Sequence, residues 1–323
     1  MSMPKVSVII PVYKVEKYIE RCARSLFEQT LDDIEYLFID DCTPDQSIEI
    51  LKQVLDEYPQ RKSQVVVHRM EKNSGQAAVR KWGMLNATGE YVIHCDSDDW
   101  VDIDMYRAMY EKALVDQADV VVCDFARVSD TPKTYICGCH STEISEFTEN
   151  CLFQRDSWSL CNKLFKIACY KDIIYPRGNM GEDMLIFFQL LSHCRMMAYI
   201  PEVKYFYWCN NESITKKNTV SNCKRNYEIM KGNVDTLIAI IDSGALNVSD
   251  KTASKSYLRF ANVYHLLNAL YLPECRKEWN KVCREISLFS FLFSKKIPKY
   301  YKMVYILVAF HIFPKESQWA ENI

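Results

Sequence analysis

Along residues 1–125, short β-branched apolar runs alternate with stretches of helical spacing. Val6–Ile10, Glu35–Ile39, Gln64–His68, Glu90–Cys95 and Asp119–Cys123 read as strands, each bounded by polar or turn-forming residues. Between Val15 and Gln29, the residues Val15, Tyr18, Ile19, Cys22, Ala23, Leu26 and Phe27 fall on one helical face. Ile48, Leu51, Leu55 and Tyr58 line a second helix. Its start is predicted at Thr43, with Thr43 as cap, Pro44 at the first helical position and Gln46 completing a capping box. Asn73-Ser74-Gly75 turns into a helix running to about Ala87, and Asp102–Gln117 forms another.

Beyond residue 130 the pattern changes. Thr131–Asn150 is polar and irregular, as in a loop or short hairpin. Trp158–Lys166 and Gly181–Cys194 extend the same domain, and Tyr199–Trp208 reads as a strand. Helices follow at Asn226–Ser243, Lys251–Leu272 and Cys275–Ser287. Near the end, apolar Leu288–Phe293 and Met303–Phe313 flank Lys295, Lys296, Lys299 and Lys302. Neither block reaches the ~20 residues needed to span a bilayer. Two readings stand for 288–313: a segment lying in the interface of an anionic membrane, or helices packed on the protein.

The strand–helix alternation predicts an α/β fold, a mostly parallel sheet with helices on both faces. Such sheets place ligands at the carboxyl ends of their strands. Pro11–Tyr13, Asp40-Asp41 and Asp96–Asp99 all fall there, far apart in sequence but expected to converge in space.

Composition narrows the partners. A net charge of -2 over 323 residues excludes a general nucleic-acid binder, which needs a strong positive excess. The chain has 14 cysteines, mostly single within apolar stretches, where they read as small buried hydrophobes. Cys137-Gly138-Cys139-His140 is the one arrangement that suggests zinc, but it lacks a fourth ligand and the usual spacing. The amino end leads straight into a strand-like run, which with reduced thiols predicts a cytoplasmic location, with the inner face of the cell membrane as the alternative site.

The acidic clusters carry the candidate chemistry. Concentrated carboxylates at a strand end are costly unless a cation neutralises them, and Mg²⁺ or Mn²⁺ held by one or two of them completes its shell with water and phosphate oxygens. Asp96 and Asp98, separated by Ser97, can point the same way from extended backbone. Asp40-Asp41 suits either turn chemistry or hydrogen bonds from a base or ribose. Glu182-Asp183 opens an apolar helix, where a carboxylate favours the helix dipole or serves as a general base. The dinucleotide fingerprint G-x-G-x-x-G is absent.

In this order and spacing, the motifs resemble the GT-A fold glycosyltransferases of family 2. The resemblance rests on Pro4–Tyr13, Ser25–Thr30, Phe38–Asp41, Asn73-Ser74-Gly75, Gly89–Val92, Asp96-Ser97-Asp98, Trp158–Phe165 and Glu182-Asp183, and covers residues 4–215. It implies a GT-A catalytic domain over residues 1–220, with a nucleotide-sugar half at 1–125 and an acceptor half at 126–220. A helical region at 221–323 lies outside it. Pro11, Tyr13, Asp40 and Asp41 are implied to hold the nucleoside. Asp96 contacts ribose or the metal shell, Asp98 coordinates the divalent metal, and Arg80 approaches the diphosphate. Asp183 is the implied base, supported by Glu182, with Trp158 and Lys163 on the acceptor side. The implied activity is inverting transfer from a nucleotide-diphosphate sugar, expected to be a UDP-sugar, to a hydroxyl of a glycan or lipid-linked acceptor in surface polysaccharide synthesis. Cys42 and Pro44 depart from the family's usual glycine and threonine, and Lys81 from its asparagine. A metal-dependent phosphohydrolase and a non-catalytic sugar-nucleotide-binding module are the alternatives. The first is disfavoured because Pro11-Val12-Tyr13 follows the first strand instead of a nucleophilic aspartate. The second is disfavoured because it has no use for Asp183.

Overall fold

A computed structural model describes residues 3–130, 134–139, 141–176, 178–209, 220–310 and 312. The chain forms two compact units, one of residues 1–151 and 155–210, the other of residues 152–154 and 211–323.

The first unit is built on a nine-stranded sheet of order β3-β2-β1-β4-β8-β6-β9-β5, with β7 paired to β6. Its strands are β1 (Val6–Val12), β2 (Ile34–Asp40), β3 (Val65–Arg69), β4 (Tyr91–His94), β5 (Trp100–Val101), β6 (Val120–Val128), β7 (Tyr135–Cys137), β8 (Lys163–Lys166) and β9 (Met197–Trp208). The helices are α1 (Ile19–Phe27), α2 (Ser47–Asp56), α3 (Gln76–Asn86), α4 (Met105–Asp116), α5 (Ile144–Leu152) and α6 (Glu182–His193). β1, β2, β3 and β4 run parallel. β1 is buried almost throughout because β2 and β4 flank it and helices cover both faces, which is why its sequence is a continuous apolar run. β3 is an edge strand, and its Val66 and Val67 are accordingly exposed.

The predicted parallel sheet holds for this half, but β8 enters antiparallel between β4 and β6. Four residues, Lys-Leu-Phe-Lys, carry too little pattern to separate a strand from a loop. The irregular stretch after residue 130 contains β7, paired antiparallel to β6, and then α5. The second helix starts at Ser47 with Gln46 at the cap position, three residues later than predicted. The Thr43 hydroxyl is occupied elsewhere: it accepts from the Lys14 amide and donates to Asp45 Oδ1, which itself accepts from the Ser47 amide and hydroxyl.

The second unit contains α7 (Val220–Ser243), α8 (Lys251–Val263), α9 (Pro273–Glu285), α10 (Leu288–Phe293) and α11 (Lys299–Ala309). Phe260 of α8 is its hub, with ring centroids 5.4 Å from Trp279, 4.8 Å from Phe291 and 5.7 Å from Tyr305. No helix among the described residues is long and apolar enough to cross a membrane.

Candidate active site

The strand order explains where the site forms. Moving outward from β1, the chain builds β2 and β3 on one side and β4 on the other, so connections leave in opposite directions between β1 and β4. Such a reversal opens a crevice beyond the carboxyl ends of the strands. Pro11–Tyr13, Asp40-Asp41 and Asp96–Asp99 meet there. The Ser97 hydroxyl donates to the Pro11 carbonyl at 2.6 Å, and the Asp41 amide to the Val12 carbonyl at 3.0 Å.

Asp41 is buried, and its two oxygens accept the amides of Ser74 and Gly75 at 2.7 and 2.8 Å. It thereby fixes the entry to α3. Asp40 accepts the Thr43 amide at 2.7 Å and pairs with Arg69 at 3.0 Å. Pro11 is half-buried, and Tyr13 is exposed with the Lys14 ammonium 5.3 Å from its ring centroid. Cys42, at the family's usual glycine position, adopts φ 56° in the left-handed region that glycine would occupy without strain.

The four residues of the acidic cluster separate by partner. Asp99 is fully buried and accepts from the Tyr205 hydroxyl and the Trp208 amide, so it anchors β9 to the cluster. Asp96 Oδ1 accepts from Arg80 Nη2 at 2.8 Å and from Gln76 Nε2 at 3.2 Å. Asp98 is held at its backbone, where its carbonyl accepts from Arg21 Nη2 at 2.9 Å. Arg21 is stacked 3.8 Å from the Trp100 ring centroid and 4.9 Å from that of Trp208. Burial first, and then the charge of Asp96, push the Asp98 carboxyl up to about 6. A hard dication would relieve both costs, so the donor set fits Mg²⁺ or Mn²⁺. No group of three or more His, Cys, Asp or Glu among the described residues could hold a metal by itself. A magnesium-type site that completes its shell with phosphate and water does not require one.

Arg80 is only 3% exposed, and among the described residues its Nε and Nη1 have no hydrogen-bond partner. Burial works against its charge, but Asp96, Glu182 and Asp183 outweigh it and hold its pKa above the ordinary value. Arg80 therefore sits beneath the cluster, paired to Asp96, and was not expected there from its motif alone. Its neighbours also bring in α6. Gly181 precedes this helix at φ 69°, and Glu182 and Asp183 form its first turn. Asp183 keeps some exposure, yet its carboxyl is enclosed enough that desolvation raises its pKa. Arg80 and the Met184 amide, 2.8 Å away, oppose that rise. Glu182 is buried and is pushed up to about 8 by burial and then by Asp183.

Lys163 is a core residue and does not line an acceptor surface. It is 1% exposed, donates to the Ser159 carbonyl and Asn162 Oδ1 at 2.8 Å, and lies 5.3 Å from the Phe187 ring centroid. Trp158 is half-buried. Of the suggested zinc ligands, His140 lies outside the described residues. Burial pushes the Cys139 thiol up to about 11. An open cavity lined by Phe27, Gln29, Tyr58 and Arg61 lies at the opposite, amino-terminal edge of the sheet and contains none of the candidate-site residues.

Residues 7–163 match the family model for glycosyl transferase family 2. That segment, just under half of the chain, carries the pattern of a glycosyl transferase family 2 domain. It is 38% identical over 135 residues to an uncharacterized glycosyltransferase, EpsJ, of Bacillus subtilis (strain 168), a match covering 42% of this chain and 38% of EpsJ. It is 30% identical over 227 residues to the putative glycosyltransferase EpsH of the same organism, covering 67% of this chain and 64% of EpsH. Both matches thus span less than two thirds of these relatives. The fold is that of the GT-A glycosyltransferases: S. aureus TarS 1–349 in complex with UDP-GlcNAc superposes with a TM-score of 0.66 at 20% identity, over 93% of this chain and 83% of that one. Within the family match lie every candidate residue from Pro11 to Lys163, while Glu182 and Asp183 fall beyond it.

Three site residues carry no family signature that sequence reasoning could use. Asn179 accepts the Ala77 amide at 3.1 Å and so caps α3 from 102 residues away. Arg21 and Tyr205 reach the acidic cluster only through the packing of α1 and β9. Gly75 shows how tight this region is. Its φ is 82°, and an added Cβ would overlap the Asn179 side chain. Gly75→Ala is therefore expected to destabilise the protein by about 1–3 kcal/mol. It should also weaken donor binding, because the Asp41–Gly75 hydrogen bond and the Asn179 cap are disturbed together. Thermal unfolding and donor titration on the variant check this.

Proposed function

We propose that the chain is an inverting glycosyltransferase, moving a sugar from a nucleoside-diphosphate sugar to a hydroxyl of a glycan or lipid-linked acceptor. The observation that carries this reading is the convergence of two carboxylate sets on one buried arginine. Asp96, from the β4 end, accepts from Arg80 of α3 at 2.8 Å, and Asn179, just before the α6 turn that carries Asp183, accepts the Ala77 amide of the same helix at 3.1 Å; the charges of Asp96 and Asp183 both favour the Arg80 cation. A donor-side acidic cluster with a single base brought near it is the arrangement a single displacement needs.

Pro11, Tyr13, Asp40 and Asp41 form the nucleoside wall, with Asp41 acting largely by shaping the 73–75 turn. Asp98, with Asp96 beside it, would hold Mg²⁺ or Mn²⁺, which when bound offsets the charge developing on the departing diphosphate. Arg80 fixes the Asp96 carboxylate and contributes positive charge from beneath. Asp183 takes the proton from the acceptor hydroxyl as its oxygen attacks the anomeric carbon, and the diphosphate leaves from the opposite face. Only one base is required, unlike the carboxylate pair of a glycosidase. Glu182 stays protonated near neutral pH, which spares Asp183 a second adjacent charge. A UDP-sugar is the donor to test first, since TarS, which shares the fold, was crystallised with UDP-GlcNAc.

The test is a panel of nucleotide sugars with Mn²⁺ or Mg²⁺, reading release of nucleoside diphosphate and the anomeric configuration of the product. One donor class should be turned over with inversion. Hydrolysis of phosphomonoesters without nucleotide-sugar turnover would instead favour a phosphohydrolase, and donor binding with no turnover a binding module.

A further inference from the structure

The last two helices of the second unit are apolar on two sides. On the inner side, Phe291 of α10 and Tyr305 of α11 lie 5.5 Å apart and both pack on Phe260. Val304 is buried on the same side of α11. This face is already satisfied, as in any helix packed on a core. The outer side is not. Phe289 and Phe293 are 74% and 71% exposed, with rings 4.9 Å apart, and on α11 Met303, Ile306 and Phe310 are 53%, 43% and 73% exposed. Positions 303, 306 and 310 follow helical spacing, so they form a stripe. Scattered single exposures need no explanation, but an aromatic pair on one helix and an apolar stripe on the next do.

Charge indicates what covers it. Between Glu285 and Glu316 the chain has no aspartate or glutamate, whereas Lys295, Lys296, Lys299 and Lys302 all lie there. Lys295, in the connection between the two helices, and Lys299, the first residue of α11, are exposed. A second copy of this face would bring lysine against lysine with no carboxylate of the segment to offset it. A surface that is apolar inside and anionic outside meets both features. α11 has 11 residues and is thus only about 16 Å long, half the hydrocarbon thickness of a bilayer, so it can lie along a membrane but not cross it.

We propose that α10, α11 and the lysines joining them form a docking surface for an anionic lipid membrane, with Phe289, Phe293 and Phe310 entering the headgroup–acyl boundary and Lys295 and Lys299 at the headgroups. The inference is independent of the glycosyl-transfer reading, since it uses none of the residues assigned to that site.

Co-sedimentation of the whole protein with vesicles tests it, using phosphatidylcholine alone and phosphatidylcholine with about one third phosphatidylserine. The protein should sediment with the mixed vesicles, bind the neutral ones more weakly, and be released as salt rises from about 0.1 to 0.5 M. The combined Phe289→Ser, Phe293→Ser and Phe310→Ser variant should lose binding to both. Lys295→Glu with Lys299→Glu should lower partitioning onto the mixed vesicles by about tenfold or more, while leaving the weak neutral binding. Both variants change exposed side chains and should keep the wild-type unfolding temperature. Wild-type protein that stays in solution with mixed vesicles, or variants that bind as the wild type does, would overturn the proposal. So would a wild-type dimer that the phenylalanine variant converts to monomer without any vesicle binding, which would make the face a contact between copies.

Discussion

Asp183→Asn is expected to lower sugar transfer by about 10²–10⁴-fold while leaving donor affinity within a few-fold of wild type. The substitution removes the proposed base but keeps its shape, and the asparagine carbonyl can still accept from the Met184 amide that Asp183 binds at 2.8 Å. Asp40, Asp41 and Asp98, the residues proposed for the donor side, belong to other elements and should keep their places. Donor affinity measured by titration and turnover measured at saturating donor separate the two effects. Transfer at the wild-type rate would remove Asp183 from the mechanism. The pH profile gives a second readout. Burial raises the Asp183 pKa, so its ionised form is lost at a higher pH than for an ordinary aspartate, and the acidic limb of turnover should lie correspondingly high. Glu182→Gln provides the contrast. With Glu182 at about 8, the wild type carries a neutral side chain there at pH 7, so the glutamine variant should retain most activity at that pH. The two should diverge above pH 8, where wild-type Glu182 ionises next to Asp183.

Which parts of this site were legible in the sequence follows from how local each signal is. β1 and β2 announce themselves because a strand buried on both faces must be apolar at successive positions, and the acidic residues mark where those runs stop. The convergence of residues 11–13, 40–41 and 96–99 was equally accessible, since parallel order forces strand ends to one edge. Arg80 was recognised from its motif, but its burial against Asp96 was not, because one turn of helix does not reveal what packs beneath it. Lys163 misled for a related reason. A lysine in a motif reads as exposed, and only the fold shows its ammonium held by Ser159 and Asn162 among aromatic rings. Asn179, Arg21 and Tyr205 act across 77 to 109 residues of chain, where spacing carries no information. The start of α2 failed at the level of a single hydroxyl: the capping pattern at Thr43 is sound, but its oxygen accepts from the Lys14 amide and its proton goes to Asp45.

Asp98→Asn should show the largest effect on the donor side, and stability measurements can test its role even before a substrate is known. Its carboxyl sits at about 6, raised above the unfolded value near 4 by burial and by Asp96. The folded protein therefore binds this proton more tightly than the unfolded chain does. The favourable contribution is fully present below about pH 4 and is lost as pH rises through 6. Asparagine imitates the protonated form. The variant should match the wild type near pH 4 and exceed it at pH 7.5 by about 1–3 kcal/mol, the range left after allowing for solvent screening. Adding Mn²⁺ with a nucleoside diphosphate at pH 7.5 should reverse that order, because ligand binding to the folded state stabilises the wild type and the variant lacks the anionic oxygen it needs. Turnover should fall by about 10²-fold or more, in line with the several kcal/mol that charge neutralisation at a departing diphosphate provides. Equal stabilisation of both proteins by Mn²⁺ and nucleotide would show that the metal is held without Asp98. A variant less stable than the wild type at pH 7.5 before any ligand is added would show that Asp98 serves the fold. Stabilisation on losing the charge, together with loss of the ligand response, is the pattern of a carboxylate kept at a cost in stability for the cation it binds.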